Sequence, residues 1–228
     1  MNIAIIPARG GSKRIPRKNR KDFHGKPIIA YSIEAAIESN CFDKIIVSTD
    51  DAEIAQIARE WGADVPFVRP DDISGDYATT ADVIQHAIEW CECEGWNPSY
   101  VCCIYPTAPL LQPADINSGL SLLRESDVQY VFSATTFEFP IQRAVYLDKG
   151  AQVNMFQPEH LNTRSQDLID AYHDAGQFYW GKVRAFKAAL PIFANHSRLF
   201  LLPKVRVQDI DTAEDWVIAE MKYKALQQ

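Results

Sequence analysis

The sequence has few cysteines, and they follow no recognisable pairing pattern. Its five cysteines in 228 residues include the adjacent Cys102 and Cys103, and Cys91 and Cys93, which a helix would place on different faces. No C-x-x-C pair occurs, and few histidines are placed to complete a zinc site. We therefore interpret the cysteines as small buried residues in a reducing compartment, rather than as a disulfide framework.

Long apolar runs are also missing. No stretch approaches the ~18 apolar residues of a membrane span, and the N-terminus lacks the basic and apolar regions of a secretory signal. Apolar residues make up 47% of the chain and charged residues 23%, which is ordinary for a globular protein. We expect a cytoplasmic protein without a membrane partner, in which residues 1–228 form a single domain.

Positive charge is scarce overall but concentrated near the N-terminus. The chain has 23 Lys and Arg against 30 Asp and Glu, a formal net charge of -7. Nucleic-acid binding depends mainly on basic charge, so we expect no nucleic-acid partner. Residues 9–26 nevertheless hold eight basic side chains and one acidic side chain. A basic loop with two glycines suits a polyphosphate ligand, although the same composition also fits a solvated turn.

Two common nucleotide-binding motifs are absent. A P-loop requires G-x-x-x-x-G-K-[ST], and the run Gly10-Gly11-Ser12-Lys13 does not supply that spacing. The dinucleotide fingerprint G-x-G-x-x-G does not occur either. The sequence therefore argues against a simple NTPase and against a dehydrogenase.

Short apolar runs alternate with helical patterns over the first 135 residues. Residues 3–6 form a continuous apolar run before Pro7, which is typical of a strand covered on both faces. The alternation predicts an α/β fold, with a doubly wound, mostly parallel, Rossmann-like sheet whose ligands bind beyond the carboxyl ends of the strands. The loop at 8–19 follows the first strand and lies at that edge. Further strands are predicted at 45–47, 101–104 and 131–132, with helical stripes at Ile29, Ile33 and Ile37; Ile54, Ile57, Ala58 and Trp61; Ile84, Ala87, Ile88 and Cys91; and Ile116, Leu120 and Leu123.

The pattern changes after about residue 135. Residues 144–147 alternate before a Lys149-Gly150 turn, which predicts a β-hairpin within an insertion at about 137–165. Strand character returns at 178–180 and 199–202. A final helix is predicted from Ala213, Val217 and Met221 at i+4 spacing, capped by Thr212 and Asp215.

Asp209 and Asp211 lie between the last strand and the last helix. In an extended segment residues i and i+2 project to the same side, so the two carboxylates form a candidate site for a hard cation. Mg²⁺ is the usual companion of phosphates. The alternative is that Asp211 caps the helix and Asp209 is solvated. A basic loop at the same end of the sheet favours the metal site.

Several motifs resemble one family. Residues 7–13 (PARGGSK) with 16–19 (PRKN), 45–50 (IIVSTD), 164–168 (RSQDL) and 209–212 (DIDT) resemble, in the expected order, the CMP-sialic acid synthetases. These are the cytidylyltransferases for nine-carbon acidic sugars. The resemblance covers nearly the whole chain and implies the nucleotide-diphospho-sugar transferase type of α/β fold. Residues 105–109 (YPTAP) and 173–180 (HDAGQFYW) are most similar to the pseudaminic acid branch.

The resemblance implies a reaction of CTP with a nonulosonic acid, pseudaminic acid in this branch, giving a CMP-sugar and diphosphate for a bacterial surface glycan. It implies Mg²⁺ as cofactor and a homodimer formed through the β-hairpin insertion. The residues that it implies for catalysis are Arg9, Lys18, Asp209 and Asp211, with Asp209 and Asp211 holding the metal. Those implied for CTP are Ala8, Arg9, Gly10, Gly11, Ser12, Lys18, Asn19, Arg69 and Thr80. Those implied for the sugar are Tyr105, Arg164, Gln166, Gln177 and Tyr179.

The sequence alone leaves alternatives open for the sugar, for the class of protein and for the place of Arg69. N-acetylneuraminic or legionaminic acid is the alternative sugar, although sialic acid synthetases usually have Gln where Tyr105 stands and Asn where Ala175 stands. A non-catalytic nucleotide- or sugar-binding protein is the alternative class, and the retained Asp209 and Asp211 favour an enzyme. RNA binding through residues 9–26 would lack an RNP-type aromatic motif. Arg69, before Pro70, also fits an exposed loop arginine.

Overall fold

A computed structural model describes residues 1–227. Its six-stranded sheet has the order β10-β6-β9-β5-β1-β4, and two further pairs of short strands stand apart from it. The strands are β1 (Asn2–Pro7), β2 (Asp22–Phe23), β3 (Lys26–Pro27), β4 (Lys44–Ser48), β5 (Tyr100–Ile104), β6 (Tyr130–Thr136), β7 (Val145–Leu147), β8 (Val153–Met155), β9 (Tyr172–Lys182) and β10 (Ser197–Leu201). The helices are α1 (Ile28–Glu38), α2 (Ala52–Glu60), α3 (Thr80–Cys93), α4 (Pro113–Glu125), α5 (Val183–Lys187) and α6 (Ala213–Leu226).

The sheet is mostly parallel, as predicted. β1 pairs in parallel with β4 and β5, and β10 pairs in parallel with β6. β9 lies between β5 and β6 and is antiparallel to both. The sequence did not predict this antiparallel strand, because its apolar run at 178–180 resembles those of the parallel strands. Among residues 1–227 no helix is long and apolar enough to cross a membrane.

Two apolar layers cover the two faces of the sheet. Ile3 and Ile5 of β1 face one layer, which α3 and α5 complete, whereas Ala4 and Ile6 face the other, which α1, α2 and α4 complete. All four side chains are fully buried. Burial of one such isoleucine contributes about 1.5–3 kcal/mol, so the continuous apolar run of β1 is explained by helices on both sides.

The predicted last helix is present as α6, and it carries two apolar stripes. Trp216 and Ala219 are buried and pack against Phe23, whereas Val217 and Met221 are 53% and 65% exposed. Both stripes have helical spacing, and the stripe with the large aromatic side chain of Trp216 is the one that packs into the core. The predicted cap is confirmed, because the Thr212 hydroxyl accepts from the Asp215 amide in a capping box.

The predicted hairpin is present. β7 and β8 pair antiparallel around a turn in which Asp148 accepts from the amides of Gly150 and Gln152 at 2.8 and 3.0 Å. The hairpin lies outside the six-stranded sheet.

Candidate active site

The loop after β1 begins where the strand ladder ends. The Ala8 amide donates to the Ser48 carbonyl at 2.9 Å, and the Gly10 amide donates to Asp50 Oδ1 at 2.9 Å. A Cβ on Gly10 would lie 2.7 Å from Asp51 Oδ2, so the loop can approach the start of α2 this closely only with glycine. Gly11 has open space around it.

This loop forms one wall of a cleft of about 520 Å³ at the carboxyl ends of β1 and β5. The opposite walls come from the segment before α3 and from the residues after β5. The cleft brings together most of the residues that the resemblance assigned to CTP. Those in its lining are Arg9, Ser12, Lys18, Asn19, Arg69 and Thr80, joined by Tyr105 and Asp211.

Basic side chains converge on the cleft and contact acidic side chains there. Arg9 Nη1 lies 3.0 Å from Asp76 Oδ1, and Lys13 also pairs with Asp76. Arg14 Nη2 lies 2.8 Å from Asp211 Oδ1. The hydrogen bond and charge of Lys13, and then those of Arg9, hold the pKa of Asp76 below its usual value. The Asp76 carboxylate is therefore ionised and pairs with two cations of the basic loop, Arg9 and Lys13.

Lys18 and Asn19 lie at the floor of the cleft. Lys18 Nζ donates to the Ile210 carbonyl and lies 3.5 Å from Asp211 Oδ1. Asn19 is buried, and its Nδ2 donates to the Arg9 carbonyl at 2.9 Å. The two residues share a 3-10 turn, Lys18–Arg20, so one turn links the basic loop to the carboxylates.

Arg69 is 4% exposed and is not the exposed loop arginine that its position before Pro70 also allowed. Its Nε donates to Ser48 Oγ at 3.1 Å, and Nη2 donates to the Ser48 carbonyl. Burial lowers the pKa of Arg69, and the nearby Asp50 carboxylate opposes that shift. Within residues 1–227 no carboxylate lies within salt-bridge distance of the guanidinium. A buried cation beside a cleft is poised to bind an acceptor from a ligand.

Asp209 and Asp211 line a second cavity of about 430 Å³, and Asp211 also lines the cleft. Asp211 does not cap α6. Asp215 does so instead, accepting from the Thr212 and Asp211 amides at 2.8 and 3.1 Å. Partial desolvation raises the pKa of Asp209, and the Asp211 carboxylate raises it further, although the residue as a whole keeps solvent exposure.

Two neighbouring carboxylates that line one cavity, Asp209 and Asp211, are a donor set that fits Mg²⁺. No group of three or more candidate metal ligands occurs within residues 1–227. Mg²⁺ is commonly held by one or two carboxylates together with substrate phosphates and water, so a pair suffices beside a phosphate site.

A third cavity of about 410 Å³ adjoins the cleft and is mostly apolar. Tyr105 and Thr80 line both spaces, and Tyr179 lines the third cavity. The Tyr179 hydroxyl donates to Asp174, and burial raises the pKa of Tyr179 well above its usual value. Burial likewise raises the pKa of Tyr105. Tyrosines with such pKa values stay neutral and serve as hydrogen-bond groups.

Three residues implied for the sugar lie outside these cavities. Arg164 and Gln166 are exposed in a turn of the insertion, and Arg164 Nε donates to Asp167 Oδ2 at 2.7 Å. Gln177 is buried in β9, and its Nε2 donates to the Arg206 carbonyl.

Two acidic residues that line these cavities, Asp76 and Asp174, are not among the predicted site residues. Asp174 lines both the second and the third cavity, and its Oδ1 accepts from the Gly176 amide at 2.8 Å. In the sequence, the neighbouring His173 and Asp174 are compatible with acid–base chemistry and equally with a pair on the surface. Asp76 lies in a loop, where the sequence gives no periodic signal.

A doubly wound sheet with a basic loop and two carboxylates at its carboxyl edge is the arrangement of a nucleotidyltransferase. The solved structure of CMP:2-keto-3-deoxy-manno-octonic acid synthetase complexed with CTP has the same fold, with a TM-score of 0.70, 17% identity and coverage of 99% of this chain and 98% of that one. The profile of the cytidylyltransferase family matches residues 3–224, and the chain belongs to this family of enzymes. The predicted fold class and family are confirmed.

Two curated relatives show the range of sugars in the family. A pseudaminic acid cytidylyltransferase of Campylobacter jejuni is 48% identical over 223 residues, which are 98% of this chain and 96% of the relative. An N-acylneuraminate cytidylyltransferase of Escherichia coli is 30% identical over 219 residues, which are 95% of this chain and 51% of the relative.

Proposed function

We propose that this protein transfers CMP from CTP to pseudaminic acid and releases diphosphate. The proposal rests on one observation. Three cations, Arg9, Lys18 and Arg69, line the same cleft as the carboxylate of Asp211. The higher identity to the pseudaminic acid enzyme than to the N-acylneuraminate enzyme supports this sugar. Tyr105 stands where sialic acid synthetases usually have Gln, and it lines both the cleft and the third cavity.

The reaction balances without a redox partner. The anomeric hydroxyl oxygen of the sugar forms a bond to the α-phosphorus of CTP, the bond from that phosphorus to the β-phosphate oxygen breaks, and the hydroxyl proton passes to solvent. Diphosphate leaves in line with the attacking oxygen. Arg9, Lys13 and Lys18 stabilise charge on the triphosphate by hydrogen bonds and Coulomb attraction.

Asp209 and Asp211 would hold Mg²⁺, which when bound supplies positive charge beside the phosphates. Asn19 and Arg69, both buried, orient the cytidine. Gly10 and Gly11 allow the backbone to approach the phosphates. Tyr105 and Tyr179 offer hydroxyls to the sugar on the apolar side of the cleft. The protein works in the cytoplasm, where CTP is available and its five cysteines, all free, stay reduced.

We further propose a homodimer built on the insertion. Exposed apolar side chains are concentrated there, including Phe139, Val153 and Leu161. Such a patch favours an interface. Arg164 and Gln166 lie beside it and away from the cavities of their own chain, so the partner's site is where they can act on a sugar.

The test is diphosphate release from CTP with Mg²⁺ and, in turn, pseudaminic, legionaminic and N-acetylneuraminic acids. We expect release with pseudaminic acid, and loss of most turnover in Asp211→Ala with the fold intact by circular dichroism. Turnover with another sugar only would replace the sugar and keep the class. Folded protein that binds CTP and turns over none of the three sugars would contradict the proposal.

A further inference from the structure

Residues 204–211, here called the carboxylate segment, carry Asp209 and Asp211 and have almost no regular structure. A 3-10 turn, Lys204–Arg206, opens the segment, and the remainder has no helical or strand hydrogen bonds before α6. Its conformation therefore depends on side chains that reach it from elsewhere. This matters because Asp209 and Asp211 can hold one cation together only if the backbone between them keeps a fixed conformation.

Arg206 anchors the start of this segment to α4. Its guanidinium makes a two-point contact with Asp115, in which Nη1 pairs with Oδ2 and Nη2 lies 3.1 Å from Oδ1. The Asp115 side chain is 8% exposed and that of Arg206 is 21% exposed. A planar fork on a buried carboxylate fixes orientation as well as distance, which a lysine in its place would not do.

Side chains of β9 and α6 hold the same part of the segment, at residues 206–208. Gln177 of β9 donates through Nε2 to the Arg206 carbonyl, and the Gln177 Oε1 atom is buried without a partner in the described chain. Lys222 of α6 donates to the Val207 carbonyl at 2.6 Å and to Gln208 Oε1 at 3.1 Å. The segment is therefore fixed at 206–208, immediately before the first metal carboxylate.

We propose that the Asp115–Arg206 pair is a positioning device that sets the separation of Asp209 and Asp211, and that Gln177 acts with it rather than on the sugar. The inference rests on the proposed function, because it takes Asp209 and Asp211 as the metal carboxylates. Asp115 and Arg206 line none of the three cavities of the site. They act through the backbone of Val207 and Gln208, which connects Arg206 to Asp209.

The test uses Mn²⁺ as a spectroscopic probe for the Mg²⁺ site and hydrogen exchange as a probe of the segment. Asp115→Asn and Arg206→Lys are compared with wild type for Mn²⁺ binding by electron paramagnetic resonance, without CTP or sugar. We expect the Mn²⁺ dissociation constant to rise about tenfold in both, the lower end of what loss of an outer partner costs a metal site. Amides of residues 207–211 should exchange faster in both variants.

Glu92→Gln is the matched control, because it breaks the Lys187–Glu92 ion pair between α5 and α3, away from the carboxylate segment. It should change neither Mn²⁺ binding nor exchange at 207–211. Asp115 also accepts from the Gln112 amide at 3.3 Å, so Asp115→Asn affects the cap of α4, whereas Arg206→Lys leaves that cap intact. If Asp115→Asn does not fold, Arg206→Lys decides alone.

Unchanged Mn²⁺ affinity and unchanged exchange at 207–211 in folded Arg206→Lys would overturn the positioning role. Failure of the proposed metal site has a different signature. In that case Asp211→Ala would leave Mn²⁺ binding unaffected, while exchange at 207–211 would still report whether the pair holds the segment. Faster exchange would then retain the positioning role for the segment, and unchanged exchange would refute it.

Discussion

At the scale of single residues, Lys18 joins the basic loop to the carboxylates. Its side chain is largely buried, and its ammonium group lies between the Ile210 carbonyl and Asp211. Lys18→Ala removes a charge-assisted contact worth about 1.5–3 kcal/mol, so kcat/KM for CTP should fall roughly tenfold to hundredfold. Steady-state kinetics check this. Lys21→Ala, which removes a charge in the same segment above the Trp216 ring, should leave kcat/KM close to wild type.

Asp209 gives a prediction about pH. Its pKa is raised in the folded protein, so its contribution to stability is present below the unfolded pKa of about 3.9 and is lost as pH rises through the higher folded pKa. Metal-free Asp209→Asn should therefore be more stable than wild type at pH 7, by up to about 1 kcal/mol for a solvent-exposed residue. The advantage should shrink as pH falls toward 4.

Chemical denaturation at pH 7 and pH 4 measures this difference, with EDTA present at both values. Asp209→Asn would contradict this prediction if it were less stable than wild type at pH 7, or if its gain in unfolding free energy over wild type grew as the pH fell. Added Mg²⁺ should reverse the order at pH 7, because the ion binds the folded wild type and stabilises it by mass action.

Single residues also show where the sequence stopped being informative. Charge and glycine content around Arg9 predict a phosphate site without excluding a solvated turn, and the fold places Arg9 in the lining of the cleft. Arg69 could be read as buried or exposed, because only the fold places Ser48 beneath its guanidinium. Asp211 had two possible roles, and only the geometry of Asp215 removes the capping role.

At the scale of elements, α4 packs against β9 through a glycine. A Cβ on Gly119 would lie 2.8 Å from Phe178 Cε2 and 3.0 Å from Trp180 Cδ1, and both rings are fully buried. Alanine gains about 1 kcal/mol of helix propensity over glycine, but overpacking a rigid core costs about 1–3 kcal/mol. Because neither ring can move away, we expect the packing cost to win and Gly119→Ala to lower stability.

Thermal and urea unfolding measure this effect, and Ser118→Ala is the matched control. Ser118 is exposed on the same helix, so it gains propensity without a clash and should be as stable as wild type or slightly more so. A Gly119→Ala variant more stable than Ser118→Ala would show that α4 can move away from β9.

The sequence predicts the buried face of an element correctly where the element has a single apolar stripe and that stripe is the face that packs. The stripes at Ile84, Ala87, Ile88 and Cys91 predicted the buried face of α3 correctly, because that face packs on one layer only. α6 carries two apolar stripes, and only the fold shows that the stripe of Trp216, rather than that of Val217, packs against Phe23. Local sequence likewise cannot show that β9 inserts antiparallel between β5 and β6.

At the scale of the whole molecule, three of the residues that the resemblance assigned to the sugar, Arg164, Gln166 and Gln177, line none of the three cavities. Arg164 and Gln166 lie in the insertion among exposed apolar side chains. A C2 dimer would resolve both facts, because each insertion would cover its apolar surface on the partner and deliver Arg164 there. Light scattering should then give twice 25.8 kDa at micromolar concentration.

Surface variants test the interface. Phe139 is 82% exposed within the insertion, and Val68 is 79% exposed outside it. Phe139→Glu places a charge in the proposed interface and should weaken the dimer, whereas Val68→Glu should not. A monomeric wild type, or equal effects of the two substitutions, would contradict a dimer built on the insertion.

Complementation tests whether the partner supplies Arg164. We expect Asp211→Ala and Arg164→Ala each to lose most activity alone. When the two variants are unfolded and refolded together, half of the randomly formed dimers are mixed, and in each of these one site combines an intact Asp211 with the partner's intact Arg164. Activity should then recover to about a quarter of wild type. If Arg164 instead acted in its own chain's site, the mixed dimer would contain no intact site, and mixing would restore nothing.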